Sequence, residues 1–389
     1  MKEKLMKGHL EIFNQEATSF YFSPGRVNLI GEHVDYSGGH VLPMALTVGT
    51  YASVSKREDK TFKIFSENFK DLGILSTDLD HLDYHPDASY LNYIKGMIYK
   101  LKWEKHDVSQ GLNIYIYGDL PTSAGLSSSA SIELLIGKIL EQENTLDIEL
   151  LKLVKYAKYV ENSYMGLSSG IMDQYAIAFG KKDHAIFLDT KNLTHEYVPF
   201  KLKDHTLVLM NTNRSRNLVD SKYNERAQAV EIGRKHFLRL RPIKELCDLD
   251  ITSFCKLKDT LNDPSTIKRV EHVVFENHRT IQARDALEFN DIKMFGDFMN
   301  QSHESLKYLF EVSCEELDYL VDYHISQGAL GARMTGAGFG GTMIALYEND
   351  KLPENFDALK EAYYKLFKKE LDIIASDASD GVRKLEGDF

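Results

Sequence analysis

Four short stretches of the sequence hold residue types that could bind phosphate or read a polyol. The first is Pro121-Thr122-Ser123-Ala124-Gly125-Leu126-Ser127-Ser128-Ser129-Ala130-Ser131, a small, hydroxyl-rich loop leading straight into an amphipathic helix. The free N–H groups of a helix start point outward, and the helix dipole adds positive potential. Together they form an anion site suited to phosphates. A serine-capped helix with a plain approach loop fits the same residues. The loop has no lysine. Phosphate charge then has to be met by the dipole, by basic groups from elsewhere and by a hard ion such as Mg²⁺, which would need about one carboxylate besides a serine.

The second stretch is Gly25-Arg26-Val27-Asn28-Leu29-Ile30-Gly31-Glu32-His33-Val34-Asp35-Tyr36-Ser37-Gly38-Gly39. It sets a cation, two carboxylates, an imidazole and an amide among glycines. Carboxylates read vicinal sugar hydroxyls well, because each accepts two or more hydrogen bonds. A polar surface loop with local ion pairs is the alternative. The third is Gly166-Leu167-Ser168-Ser169-Gly170-Ile171-Met172-Asp173-Gln174. Here Asp173 stands near a helix start, where aspartate commonly caps, and Glu161 lies near the end of the preceding helix, an ordinary solvated position. The fourth is Gly331-Ala332-Arg333-Met334-Thr335-Gly336-Ala337-Gly338-Phe339-Gly340-Gly341. Gly336, Gly338 and Gly341 match the dinucleotide fingerprint, but that fingerprint must open a helix. The following Thr342-Met343-Ile344-Ala345-Leu346-Tyr347 reads as a strand, so a tight turn or a ligand-facing backbone fits better.

Elements must hold these stretches. Strand-like runs alternate with helical periodicity, which makes the class mixed α and β. Residues 112–117 alternate as a strand, and 186–188 and 206–210 also read as strands. Ser-Pro-Gly within 21–30 predicts a turn between two extended segments. Ile132, Leu135, Ile136, Ile139 and Leu140 form one helical face, and a second helix is predicted over 148–164 on Leu151, Val154, Ala157 and Val160. Residues 223–323 are helical, with a break at Pro264, and 329–347 read strand, glycine turn, strand. A boundary near 195–205 divides the chain into 1–200 and 201–389.

Composition excludes several classes. The 389 residues are 43% hydrophobic and 27% charged, as in a soluble globular protein of about two domains. A net charge of −11 argues against nucleic acid or anionic membrane as partner. No apolar run approaches the ~20 residues of a membrane span, and no secretory signal opens the chain, so a cytoplasmic protein is expected. Cys247, Cys255 and Cys314 suggest reduced thiols. The P-loop, protein-kinase and His-Glu-x-x-His patterns are absent from the sequence.

Taken together, the four stretches resemble the GHMP small-molecule kinase superfamily. The second, nearly residue for residue, narrows the resemblance to the galactokinase family; Val34, Ser37 and Thr342 depart from it where threonine, asparagine and cysteine are common. The resemblance implies an α+β fold of two domains. The N-terminal one would be ribosomal-protein S5 domain 2-like, the C-terminal one a ferredoxin-like αβ sandwich, with the active site between them. It further implies ATP-dependent phosphorylation of α-D-galactose at the C1 hydroxyl, the first step of galactose catabolism, with ATP as co-substrate, Mg²⁺ as cofactor and a monomeric state. By position it makes Asp173 the catalytic base and Arg26 the transition-state cation. Glu32, His33, Val34, Asp35 and Tyr223 become sugar contacts. Ser66 and Ser123, Ala124, Gly125, Leu126, Ser127, Ser128 and Ser129 become ATP contacts, and Ser129 with Glu161 become metal ligands. N-acetylgalactosamine or arabinose as acceptor, and a catalytically silent sugar sensor, are the competing readings. An intact Ser128-Ser129-Ala130 and the presence of Asp173 weigh against the sensor.

Overall fold

Leu112–Gly118, buried continuously from Leu112 to Ile116, is a central strand of a six-stranded sheet. The computed structural model describes all residues except Thr122, Ser123, Ser168, 215–218 and Asp388, so Ser123 and Ser168 of the sequence reading lie outside the described residues. The sheet runs in the order Arg383–Lys384, Ser19–Asn28, Pro43–Lys56, Leu112–Gly118, Phe62–Ser66, Leu75–Thr77. All its pairings are antiparallel except that of Phe62–Ser66 with Leu112–Gly118. A second sheet, wholly antiparallel, orders Gly331–Met334, Thr342–Glu348, His205–Asn211 and Asp372–Ile374. A small third sheet joins His40–Val41, His184–Asp189 and Thr194–Pro199. The last strand, Arg383–Lys384, returns to the first sheet rather than staying with the second.

The predicted turn at Ser23-Pro24-Gly25 is instead a bulge inside one strand, Ser19–Asn28. Pro24 opposes Gly49, but Arg26 opposes Ala45. Proline cannot donate to a ladder, so the chain breaks register there without turning back. Gly25 then lets the Pro121–Ser131 loop press against the bulge, because an added Cβ would meet Leu120 Cδ2 at 2.5 Å and Leu126 O at 3.0 Å. The bulge thereby re-aims Arg26.

The helix Ser128–Glu143 packs Leu135, Ile136, Ile139 and Leu140 into the core as its periodicity predicts. Its start is not serine-capped: Ser127 stands at the N-cap with φ 61° and no capping bond. The next helix is shorter than predicted. Leu150–Tyr159 gives way to a π-helical turn, Val160–Tyr164, which carries Glu161. Such turns occur mostly as local insertions near functional sites. Pro264 does not break a helix but opens one, Pro264–Glu288, with Asp263 capping the N–H groups of Ser265 and Thr266. A missing N–H costs nothing at that first position. The glycine turn after Gly331–Met334 leads into the strand Thr342–Glu348, so the dinucleotide reading is excluded. No described helix is long and apolar enough to cross a membrane.

Candidate active site

The bulged strand, the Ser128–Glu143 helix, the π turn and the glycine turn all end at one cavity of about 510 Å³. Arg26, Glu32, His33, Asp35, Ser129, Glu161, Asp173 and Tyr223 line it. A smaller slot of about 200 Å³, walled by Phe69, Tyr90, Ile116 and Ile132, adjoins it, and Ser129 faces both. Ser66 and Ser128 line the slot as well.

Arg26 and Asp173 meet across the cavity. Arg26 Nε donates to Asp173 Oδ1 and Nη2 to Oδ2, each at 2.7 Å, while Nη1 donates to Gly125 O at 2.7 Å. This two-pronged geometry suits a guanidinium and no other cation. Burial disfavours the Arg26 charge, but Asp173 and then Glu32 and Asp35 outweigh it and hold the proton more tightly than usual. Asp173 is not the cap that sequence position suggested. Ile171 occupies that place, and Asp173 sits in the first turn of Met172–Phe179, where the dipole favours its charge. Ser127 Oγ also donates to Asp173 Oδ2.

Glu161 is buried rather than solvated. Ser129 Oγ donates to its Oε1 at 3.0 Å, and Ser169 Oγ and Gln174 Nε2 to its Oε2 at 2.7 Å each. Beside it, burial first and Glu161's charge second push the Glu133 carboxyl well above the carboxylate range. Among the described residues no group of three or more His, Cys, Asp or Glu side chains gathers to hold a metal. Ser129 and Glu161 offer two hard oxygens. That matches an ion which takes one or two carboxylates and completes its shell with phosphates and water.

On the opposite wall, Glu32 is saturated. Its Oε1 accepts from Gly336 N at 2.7 Å and Thr335 Oγ1 at 3.2 Å; its Oε2 accepts from Asn28 Nδ2 and lies 3.0 Å from Arg333 Nη2. Burial raises its proton affinity, with Arg333 opposing. His33 is also engaged. Nε2 meets Ala337 O at 3.2 Å, and a carbonyl only accepts, so Nε2 is assigned the proton and Nδ1 accepts from Tyr36 OH at 3.1 Å. Burial pushes His33 down to about 3, so its ring is neutral. It lies over Phe310, with ring centroids 4.5 Å apart, and faces Tyr223 at 5.5 Å. Val34 is wholly buried in the core and its side chain does not line the cavity.

Asp35 does line it. Burial first, then Asp173's charge, push its carboxyl up to about 6, with Lys158 and the Met172 N–H opposing. Gly170 is what leaves it room, since an added Cβ would fall 1.6 Å from Asp35 Oδ2. Gly170→Ala is therefore expected to displace Asp35 and raise the KM of the cavity's substrate by tenfold or more, by about 1.4 kcal/mol per tenfold; steady-state kinetics of the purified variant measures it.

These walls correspond to known sequence families. The galactokinase galactose-binding signature matches residues 7–56, the GHMP kinase N-terminal domain residues 92–181 and the GHMP kinase C-terminal domain residues 283–365. The galactokinase of Enterococcus faecalis is 45% identical over 99% of this chain and 100% of its own. That of Ligilactobacillus salivarius is 46% identical, covering 93% of this chain and 92% of its own. The chain belongs to the galactokinase family. The crystal structure of Lactococcus lactis galactokinase complexed with galactose superposes with a TM-score of 0.95 at 40% identity, covering 99% of this chain and 100% of that one. A Methanococcus jannaschii mevalonate kinase, with a TM-score of 0.63 at 21% identity, shares the fold alone. The expected two-domain, mixed α and β GHMP fold is the fold of this chain.

Measured against this family's signature, the structure gathers Arg26, Glu32, His33, Asp35, Ser129, Glu161, Asp173 and Tyr223 at one cavity, and sets Ser66 and Ser128 at the adjoining slot. Ala124 and Leu126 bury their side chains in the core, so only their backbone faces the loop. Their carbonyls accept from Thr342 Oγ1 and Arg26 N. Sequence reasoning gave no role to Ser169, Gln174 and Arg333 within the stretches it singled out, and missed Glu133 altogether. Two signals were available: Arg333 is a lone cation in an apolar strand, and Glu133 shares a helical stripe with Ala130, Gly137 and Leu140.

Proposed function

We propose that the chain transfers the γ-phosphoryl group of ATP to the C1 hydroxyl of galactose, releasing galactose 1-phosphate and ADP. One observation carries the reading: Arg26 and Asp173 face each other in the cavity that the sugar signature and the phosphate loop share. The nucleotide base would take the apolar slot, and the phosphates the start of Ser128–Glu143. The sugar would lie between Asp35, Asp173 and Tyr223. Glu32 and His33 would serve it by holding the wall, or by giving up one present partner to a sugar hydroxyl.

The C1 hydroxyl oxygen attacks the γ-phosphorus as the bond from that phosphorus to the β,γ-bridging oxygen breaks, and Asp173 accepts the hydroxyl proton. Arg26 meets the charge on the moving phosphoryl group. A loose phosphoryl-transfer transition state needs little early help from a base, so positioning and charge dominate. Ser129 and Glu161 would hold Mg²⁺, which neutralises phosphate charge when bound. In this reading the unit 1–200 supplies most of the lining, the unit 201–389 adds Tyr223, Asn224, Gly336 and Ala337, and the chain acts as a monomer.

The test is ADP release from ATP over a panel of monosaccharides. Galactose-dependent release is expected, with N-acetylgalactosamine and arabinose poor acceptors. Silence with galactose, or better turnover with another sugar, would overturn the reading. Above about 6 Asp35 is ionised and accepts sugar hydroxyls; below it, a proton fills one of its acceptor positions. The galactose KM at saturating ATP is accordingly expected to rise as pH falls from neutrality through about 6. Asp35→Asn should show a high KM without that inflection.

A further inference from the structure

Glu161 is the carboxylate that the proposed reaction gives to the metal, and three side chains hold it. Ser129 and Ser169 line the cavity, where ligands reach them. The third, Gln174, is fully buried in Met172–Phe179, one position past Asp173. Its Nε2 donates to Glu161 Oε2 at 2.7 Å and lies 3.5 Å from Oε2 of Glu133, which is fully buried on Ser128–Glu143. Among the described residues, Gln174 Oε1 and Glu133 Oε1 have no hydrogen-bond partner. Bare buried acceptors cost free energy, and apolar side chains would fill both positions more stably. Packing therefore does not account for this pair.

We propose that Gln174 and Glu133 are positioning residues for Glu161: the buried amide pins one oxygen of Glu161 in the wall and leaves the other turned to Ser129 and the phosphates. Oε2 of Glu161 and Oε2 of Glu133 both lie on the amide's NH₂ side, the side that donates. The same contact ties the helix that starts at the phosphate loop to the helix that carries Asp173. Magnesium demands near-ideal octahedral geometry, so the angle of its protein carboxylate matters. Groups that orient a ligand without touching the ion commonly change metal affinity by about 10–100-fold. The inference rests on Glu161 as the metal ligand.

Mn²⁺, which shares the charge and oxygen preference of Mg²⁺, reports the site by electron paramagnetic resonance in the full chain saturated with ADP. Gln174→Met keeps the volume and removes the donor. It is expected to weaken Mn²⁺ binding roughly 10–100-fold, with turnover recovering as Mg²⁺ is raised. Glu133→Leu is expected to weaken binding less. In a Glu161→Ala background, Gln174→Met should cost nothing further. Should Gln174→Met fail to fold, Gln174→Asn, the same group one methylene short, should show the same loss. Wild-type Mn²⁺ affinity in the folded Gln174 variant, or an equal loss with and without Glu161, would overturn the proposal. Wild-type affinity in Glu161→Ala itself would sink the metal assignment, and this inference with it.

Discussion

Asp173→Asn is expected to lower the turnover of galactose by about 10²–10⁴-fold, the usual contribution of a positioned general base and about 3–5 kcal/mol of barrier. The substitution keeps the shape of the side chain but replaces one carboxylate oxygen with an NH₂ group. Arg26 then loses one of its two acceptors, and the Ser127 hydroxyl competes for the remaining oxygen. The galactose proton has no anionic acceptor left. Galactose affinity should change far less, because Asp35 and Tyr223 remain in the cavity. Steady-state kcat and a direct galactose titration separate the two effects. Turnover within a few-fold of the parent would remove Asp173 as base and as positioning group.

Arg26→Lys should lower kcat by roughly 10²–10³-fold, the range seen when one preorganised donor to developing charge is lost. Charge is conserved, so any loss isolates geometry. The guanidinium makes three bonds at once, two to Asp173 and one to Gly125 O. An ammonium on a flexible stem cannot span both oxygens of the carboxylate and also reach the loop. The phosphate loop would then lose its side-chain tie to the bulged strand and keep only backbone ones such as Arg26 N to Leu126 O, and the ATP KM should rise along with the fall in kcat. Unchanged kinetics would take Arg26 out of the mechanism.

Legibility varied with the kind of signal. Period-3.6 and period-2 patterns located Ser128–Glu143 and Leu112–Gly118, because apolar side chains recur on one face of each, even though the strand buries both of its faces from Leu112 to Ile116. Proline was misread twice. Its missing N–H and fixed φ disrupt a ladder or begin a helix equally well, and only neighbours decide which: Gly49 across the bulge at Pro24, and the Asp263 cap before Pro264. Glu161 was read as solvated because nothing near it in sequence announces that Ser129, Ser169 and Gln174 converge on it. Its burial follows from a π turn, which shifts the helical phase by one residue and has no compositional mark.

By itself the sequence determined the inventory: a lysine-free, serine-rich helix start, an arginine and carboxylates among glycines, and a glycine turn between strands. Each is contiguous, so local spacing and residue chemistry carry it. Tertiary structure alone decided which groups face one another. Arg26 and Asp173 lie 147 positions apart, and Glu32 is clamped by Gly336 from 304 positions away. Such pairings arise where sheets and helices pack, and that packing is a collective outcome of burying apolar side chains from the whole chain, written in no single segment of it.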